Sequence, residues 1–132
     1  MREIVNQGVL LARTGHCTEA AEGVTFYSQP KDVLQYGICN HKKTVLQPHV
    51  HMKRARVSFH RTYEFLYLIS GMMECQLFNE ERKYITNVIL SEGDWIALHE
   101  GGHGFKVLCD NTRFLEVKNG QFLSTEQDKT RF

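Results

Sequence analysis

Two of the seven histidines, His49 and His51, stand two positions apart in the sequence. On a β-strand, side chains at positions i and i+2 point to the same face, roughly 7 Å apart along the strand. Two imidazoles in this arrangement can converge on one ion, and neutral imidazole is a ligand of zinc, iron, manganese and nickel. The pair therefore indicates a metal site. The alternative is a pair of surface or packing histidines.

A carboxylate and a third histidine extend this pattern. Glu64 opens an otherwise apolar segment, residues 65–69, where a carboxylate needs a charged partner, water or a metal ion. His103 follows the glycines Gly101 and Gly102, which allow a sharp turn and a close approach of the next strand. The metal-ligand set predicted from these features is His49, His51, Glu64 and His103.

Candidates for acid–base or orienting roles lie between the histidine pair and Glu64. His60 and Arg56 share one face of a predicted strand over residues 55–60. Histidine has a pKa near neutral pH and arginine can hold a carboxylate or phosphate through two hydrogen bonds. His51, His60 and Arg56 are therefore the catalytic candidates. Hydrogen bonding inside the fold and a solvated basic hairpin are the alternatives.

These residues have to be positioned by strands, because helical periodicity is scarce. About ten short apolar segments alternate with turn residues, which predicts an all-β sandwich or barrel. Only residues 18–22 could form a helical turn, and Gly23 ends it. The predicted strands cover residues 24–28, 33–39, 44–46, 55–60, 64–69, 75–78, 84–90, 95–98, 105–109 and 114–118.

Length and charge narrow the class of protein. The 132 residues predict a single domain, 1–132, with a core over about 24–118 and a polar tail over 124–131. A net charge of +1 gives no attraction to nucleic acid or to an anionic membrane. No segment is long and apolar enough to span a bilayer, and the N-terminus lacks a signal peptide, so we expect a cytoplasmic protein. The apolar segment 4–12 predicts an arm that crosses to a partner in a homodimer.

Four scattered cysteines, none in a C-x-x-C pair, complete the inventory. In a reducing compartment we expect them to be free thiols and small buried hydrophobes. The four are Cys17, Cys39, Cys75 and Cys109.

The order of the motifs resembles the cupin superfamily. Its first motif holds a histidine pair, a carboxylate and a glycine, and its second holds a glycine followed by a histidine. The matching residues here are His49, His51, Glu64, Gly71, Gly93 and His103. Twelve residues separate His51 from Glu64, more than in the family motif.

The resemblance implies a double-stranded β-helix, or jelly-roll barrel, with the four ligands around a divalent transition ion (Zn, Fe, Mn or Ni). Such a protein would bind or act on a small molecule, and a loose similarity over residues 115–120 points to a sugar or sugar nucleotide in polysaccharide biosynthesis. Two alternatives stay open. One is a metal-free sugar-nucleotide ketoisomerase or epimerase that uses the histidine pair as acid and base. The other is a ligand-binding module without catalysis, because a fold does not determine a reaction.

Overall fold

The computed structural model describes residues 1–48, 62–119 and 132. These residues form ten β-strands, one short 3-10 turn at Cys17–Glu19 and no α-helix, so the predicted all-β class is confirmed. In this part of the chain, no helix has the length and apolar character needed to cross a membrane. The strands are β1 Arg2–Asn6, β2 Val9–His16, β3 Gly23–Phe26, β4 Gly37–Asn40, β5 Glu64–Ser70, β6 Met72–Phe78, β7 Tyr84–Ser91, β8 Asp94–Leu98, β9 Gly102–Val107 and β10 Arg113–Lys118.

The strands form three antiparallel sheets. The largest has the order β1-β2-β8-β5-β10, the second has the order β7-β6-β9, and β3 and β4 form a separate pair. Over the described residues these sheets do not close into one barrel. The architecture is that of a β-sandwich, and jelly-roll closure remains a prediction.

The main core lies between the two larger sheets, and strand alternation explains its composition. Every second residue of β5 and β8 points to the inside, and so does every second residue of β6 and β7. Full burial of one valine, leucine, isoleucine or methionine side chain contributes about 1.5–3 kcal/mol to the free energy of folding. The buried members of the main core are Ala12, Leu66, Leu68, Met73, Cys75, Leu77, Val88, Leu90, Ile96 and Leu98.

The other face of the five-stranded sheet is also covered in part. Trp95 and Ala97 alternate with core residues of β8 and point to this second face, where Tyr36 packs against them. Phe65 from β5 stacks on Trp95 with ring centroids 5.8 Å apart. The segment between β3 and β4 thus covers Trp95 and Ala97 on the second face of the sheet, whereas the outer faces of β10 and of the end of β5 stay exposed.

A buried arginine fastens this segment to the sheet. Arg13 on β2 donates to Asp32 at 2.6 Å, to Glu3 at 2.8 Å and to the Tyr36 hydroxyl at 3.1 Å. The Tyr36 hydroxyl in turn lies 2.9 Å from Nε2 of His99. The Tyr36 oxygen thus accepts from Arg13, and it can also donate to Nε2 of His99 when that ring nitrogen is unprotonated.

Several local predictions were wrong. The strand predicted over residues 33–39 begins only at Gly37, and residues 44–46 form no strand, with Val45 78% exposed. The apolar segment 4–12, predicted to cross to a partner, belongs to a hairpin of β1 and β2 in which β2 pairs with β8 of the same chain, and its contact with a partner stays a prediction. The strand predicted over residues 55–60 lies outside the described residues.

The cysteines agree with the predictions only in part. All four are free thiols, but burial holds only for Cys75, since Cys39 and Cys109 are exposed and Cys17 is half-buried. Cys39 lies on β4 of the separate two-stranded sheet, and Cys109 lies two residues beyond the end of β9.

Candidate functional site

Glu64 is the first residue of β5 and points into the space between the sheets. It shares the inner face with Leu66 and Leu68, both 1% exposed, and is itself only 6% exposed. Its neighbours in register are Leu98 on β8 and Lys118 on β10. The carboxylate predicted to need a partner is therefore buried at the end of an apolar strand face.

His103 reaches the same place from the opposite sheet. It lies on β9 opposite Leu77 of β6, a core residue, so its ring also points inward. The preceding turn depends on Gly101, which has a φ of +80° and whose added Cβ would collide with the carbonyl oxygen of Phe78. The glycine that marked this histidine in the sequence is thus the residue that allows β9 to begin here.

The two side chains meet across the sandwich. Nε2 of His103 lies 3.2 Å from Oε2 of Glu64. These two residues are 39 positions apart in the sequence (103 − 64) and are neighbours in the fold, and their role as metal ligands stays a prediction. His49 and His51, the other two predicted ligands, and the catalytic candidates Arg56 and His60 lie outside the described residues.

Lys118 is a member of the site that sequence reasoning missed. Its Nζ lies 3.1 Å from the second carboxylate oxygen of Glu64, Oε1, and 3.2 Å from Oε1 of Glu116. The only signal in the sequence was a lysine at the end of a predicted strand. Its meaning depends on the pairing of β10 with β5, which places Lys118 directly beside Glu64.

The electrostatics keep Glu64 ionised. Burial alone would raise the pKa of Glu64, but hydrogen bonds and charges from His103 and Lys118 outweigh it and lower the pKa to about 2. Cys75 lies behind the carboxylate in the core, and burial together with the charge of Glu64 raises the pKa of its thiol to about 12. The anion at this site is therefore the carboxylate, and Cys75 stays a neutral thiol.

The contact between Glu64 and His103 also fits a metal centre. Two ligands of one ion, each about 2.1 Å from it, lie roughly 3.0–3.4 Å apart. Lys118 holds Oε1 and leaves Oε2 facing the imidazole, as an outer hydrogen bond orients a ligating carboxylate. Among the described residues alone, no group of three or more His, Cys, Asp or Glu side chains could hold an ion.

Two phenylalanines, Phe105 and Phe114, lie next to Glu64 and His103, and we call the phenylalanines the aromatic wall and the other two residues the polar pair. The ring of Phe105, two residues after His103, lies 5.4 Å from the imidazole, centroid to centroid. The ring of Phe114 on β10 lies 6.4 Å from that of Phe105. Phe105 is opposite Cys75 and Phe114 is opposite Leu68, so both rings are on inner strand faces.

His99 follows the last residue of β8 and is half-buried. Burial and the charge of Arg13 lower the pKa of His99, which keeps the imidazole neutral and able to accept from Tyr36. The His99 interactions are on the second face of the large sheet, away from the inner face that carries Glu64.

Comparison of the chain with protein-family models, with curated proteins and with solved structures finds no match. The function therefore has to be argued from the site itself.

Proposed function

We propose that this chain is a cytoplasmic, jelly-roll metal-binding protein of the cupin type that binds or acts on a small molecule with metal-binding oxygens. The observation that carries the proposal is the approach of His103 to Glu64, 3.2 Å apart and supplied by opposite sheets. A buried carboxylate beside an imidazole is a donor set that divalent transition ions take. The resemblance to the cupin superfamily, with the loose similarity over residues 115–120, suggests a sugar or a sugar nucleotide as the class of ligand.

Each residue has a defined part in this proposal. His103 and Glu64 supply one nitrogen and one oxygen ligand, and His49 and His51 supply two more nitrogens. Lys118 holds the other oxygen of Glu64, so that the carboxylate offers Oε2. An ion held in this way polarises a bound oxygen or lowers the pKa of a bound water.

A metal-free acid–base enzyme is the second candidate, and one observation favours it. Both oxygens of Glu64 already have protein partners, one imidazole and one ammonium. A histidine oriented by a carboxylate is a common arrangement for moving protons. In this case His103, with His51 or His60, would exchange protons with a keto-sugar, and Arg56 would hold its phosphate.

Metal analysis of protein purified without a histidine tag tests the proposal. The expected result is about one transition ion per chain in the wild type and loss of the ion in His103→Ala and His51→Ala. His41→Ala is the matched control, because His41 is an exposed histidine. Wild-type protein that stays metal-free after incubation with Zn²⁺, Mn²⁺, Ni²⁺ and Fe²⁺ would refute a metal site, and turnover of a keto-sugar nucleotide would then support the second candidate.

A further inference from the structure

Two phenylalanines that point to the inside of the sandwich, Phe105 and Phe114, are unusually exposed for inward-facing residues. Phe105 is 37% exposed and Phe114 is 38% exposed, although their cross-strand neighbours Cys75 and Leu68 are at most 1% exposed. An aromatic ring that points inward usually buries most of its surface, since this is where its contribution to stability comes from.

The position of the rings explains the exposure. Phe105 lies on β9 and Phe114 on β10, and among the described strands each of these two is at the edge of its sheet. The rings thus line the gap where the two sheets are not joined by backbone hydrogen bonds in the described part of the chain. They approach each other to 6.4 Å across this gap and leave their remaining surface uncovered.

The aromatic wall is continuous with the polar pair. His103 and Phe105 alternate on the inner face of β9, and their rings are 5.4 Å apart. Lys118, Glu116 and Phe114 alternate on the inner face of β10 in the same way. On the inner face of each of these two strands, a phenylalanine therefore lies beside a charged or polar side chain.

From this arrangement we infer that the ligand of the site has a flat or apolar body that packs on Phe105 and Phe114, next to a metal-binding oxygen-bearing end at Glu64 and His103. A wholly polar molecule of the same head group would leave both rings in water. The two phenylalanines are then specificity-determining residues. The inference rests on the proposed function, because the head group is recognised by the ion.

Two small probe molecules separate the contribution of the apolar part of the ligand to binding from that of its metal-binding oxygens. Acetohydroxamate and benzohydroxamate carry the same metal-binding oxygens, and only the second carries a ring. Binding of each is measured on Co²⁺-loaded protein by calorimetry and by the change in the visible spectrum of the ion. We expect the wild type to prefer benzohydroxamate by roughly 30-fold, the ratio that burying about 80 Å² of apolar surface gives.

The variants Phe105→Ala and Phe114→Ala should each reduce this preference to below about fivefold while acetohydroxamate binding stays within about twofold of the wild type. Phe26→Ala is the matched control, because Phe26 is 64% exposed and belongs to the separate pair of strands. Its preference should equal that of the wild type. Thermal melting of each variant verifies that it is folded.

Two results would overturn the inference, and they differ in what they leave standing. If the wild type binds both hydroxamates equally, or if the preference survives both phenylalanine variants, the wall has no role and the metal site stands. If Co²⁺ binds but neither hydroxamate enters its coordination, or if Co²⁺ does not bind at all, the proposed function falls together with the inference.

Discussion

Arg13 and Glu64 are the two charged side chains that are buried in the described part of the chain, and each is held by several partners. Arg13 is 2% exposed and bonds to Glu3, Asp32 and Tyr36. Removing one partner of a buried charge network leaves the others uncompensated, which is more costly than losing an exposed ion pair. At this scale the charges determine which segments stay attached to the large sheet.

Arg13→Met should therefore destabilise the protein strongly. We expect a loss of about 3 kcal/mol in the free energy of unfolding, because Asp32 loses its guanidinium partner while only 12% of its side chain is exposed. Urea unfolding followed by circular dichroism measures the change. Lys83→Met is the control, since the ion pair of Lys83 with Glu81 is exposed and should be worth less than about 1 kcal/mol. Equal losses in the two variants would contradict the structural role of Arg13.

The lowered pKa of Glu64 predicts how the free energy of unfolding depends on pH in chelator-treated protein. Its pKa in the folded state is about 2, below the ordinary 4.5, so the ionised carboxylate stabilises the fold above pH 4.5. This contribution is lost as the pH falls from 4.5 towards 2. In Glu64→Gln the contribution is absent, and the loss of stability over this range should be smaller by on the order of 3 kcal/mol. Urea titrations at several pH values measure it, and the exposed Glu81→Gln should keep the wild-type slope.

At the scale of elements, alternation within a segment predicted most strands from β5 to β10. In the N-terminal third it found β3 and the end of the β4 segment but missed β1 and β2 and wrongly predicted a strand over residues 44–46. A strand exists only where another strand accepts its hydrogen bonds, and residues 44–46 have no such neighbour among the described strands. Conversely, β1 mixes Arg2, Glu3 and Asn6 with two apolar residues, and its strand character comes from pairing with β2. Pairing is a property of distant segments, which periodicity does not contain.

The turn before β9 gives an element-scale test. Gly101→Ala places a Cβ against the Phe78 carbonyl oxygen in addition to the strain of a positive φ. We expect about 3 kcal/mol of destabilisation and weaker metal binding, because β9 and His103 shift together. Gly8→Ala is closely matched, since Gly8 has the same φ of +80° but no atom within 4 Å of the added Cβ. It should cost about 1 kcal/mol and leave metal content unchanged. Similar metal loss in both variants would show that the position of His103 does not depend on the turn at Gly101.

At the scale of the whole molecule, the site joins the two large sheets. Glu64 belongs to the five-stranded sheet and His103 to the three-stranded sheet. Residue types and motif order pointed to Glu64 and His103. Lys118, Phe105 and Phe114 were not assigned to the site, because their positions beside that pair follow from strand order and register. The packing of the two sheets brings these residues together, and no local pattern records it.

Removal of the proposed ion should therefore weaken the whole sandwich rather than one loop. An ion bound by ligands from both sheets stabilises only the folded state, and at about 100 times its dissociation constant it contributes about 2.7 kcal/mol. For a chain of 132 residues this corresponds to a Tm lower by roughly 10 °C after treatment with EDTA. Calorimetry should show one transition that shifts as a unit and returns when the ion is added back. The control variant His103→Ala should have the same Tm with and without EDTA. A wild-type Tm that does not change with EDTA would show that no ion links the two sheets.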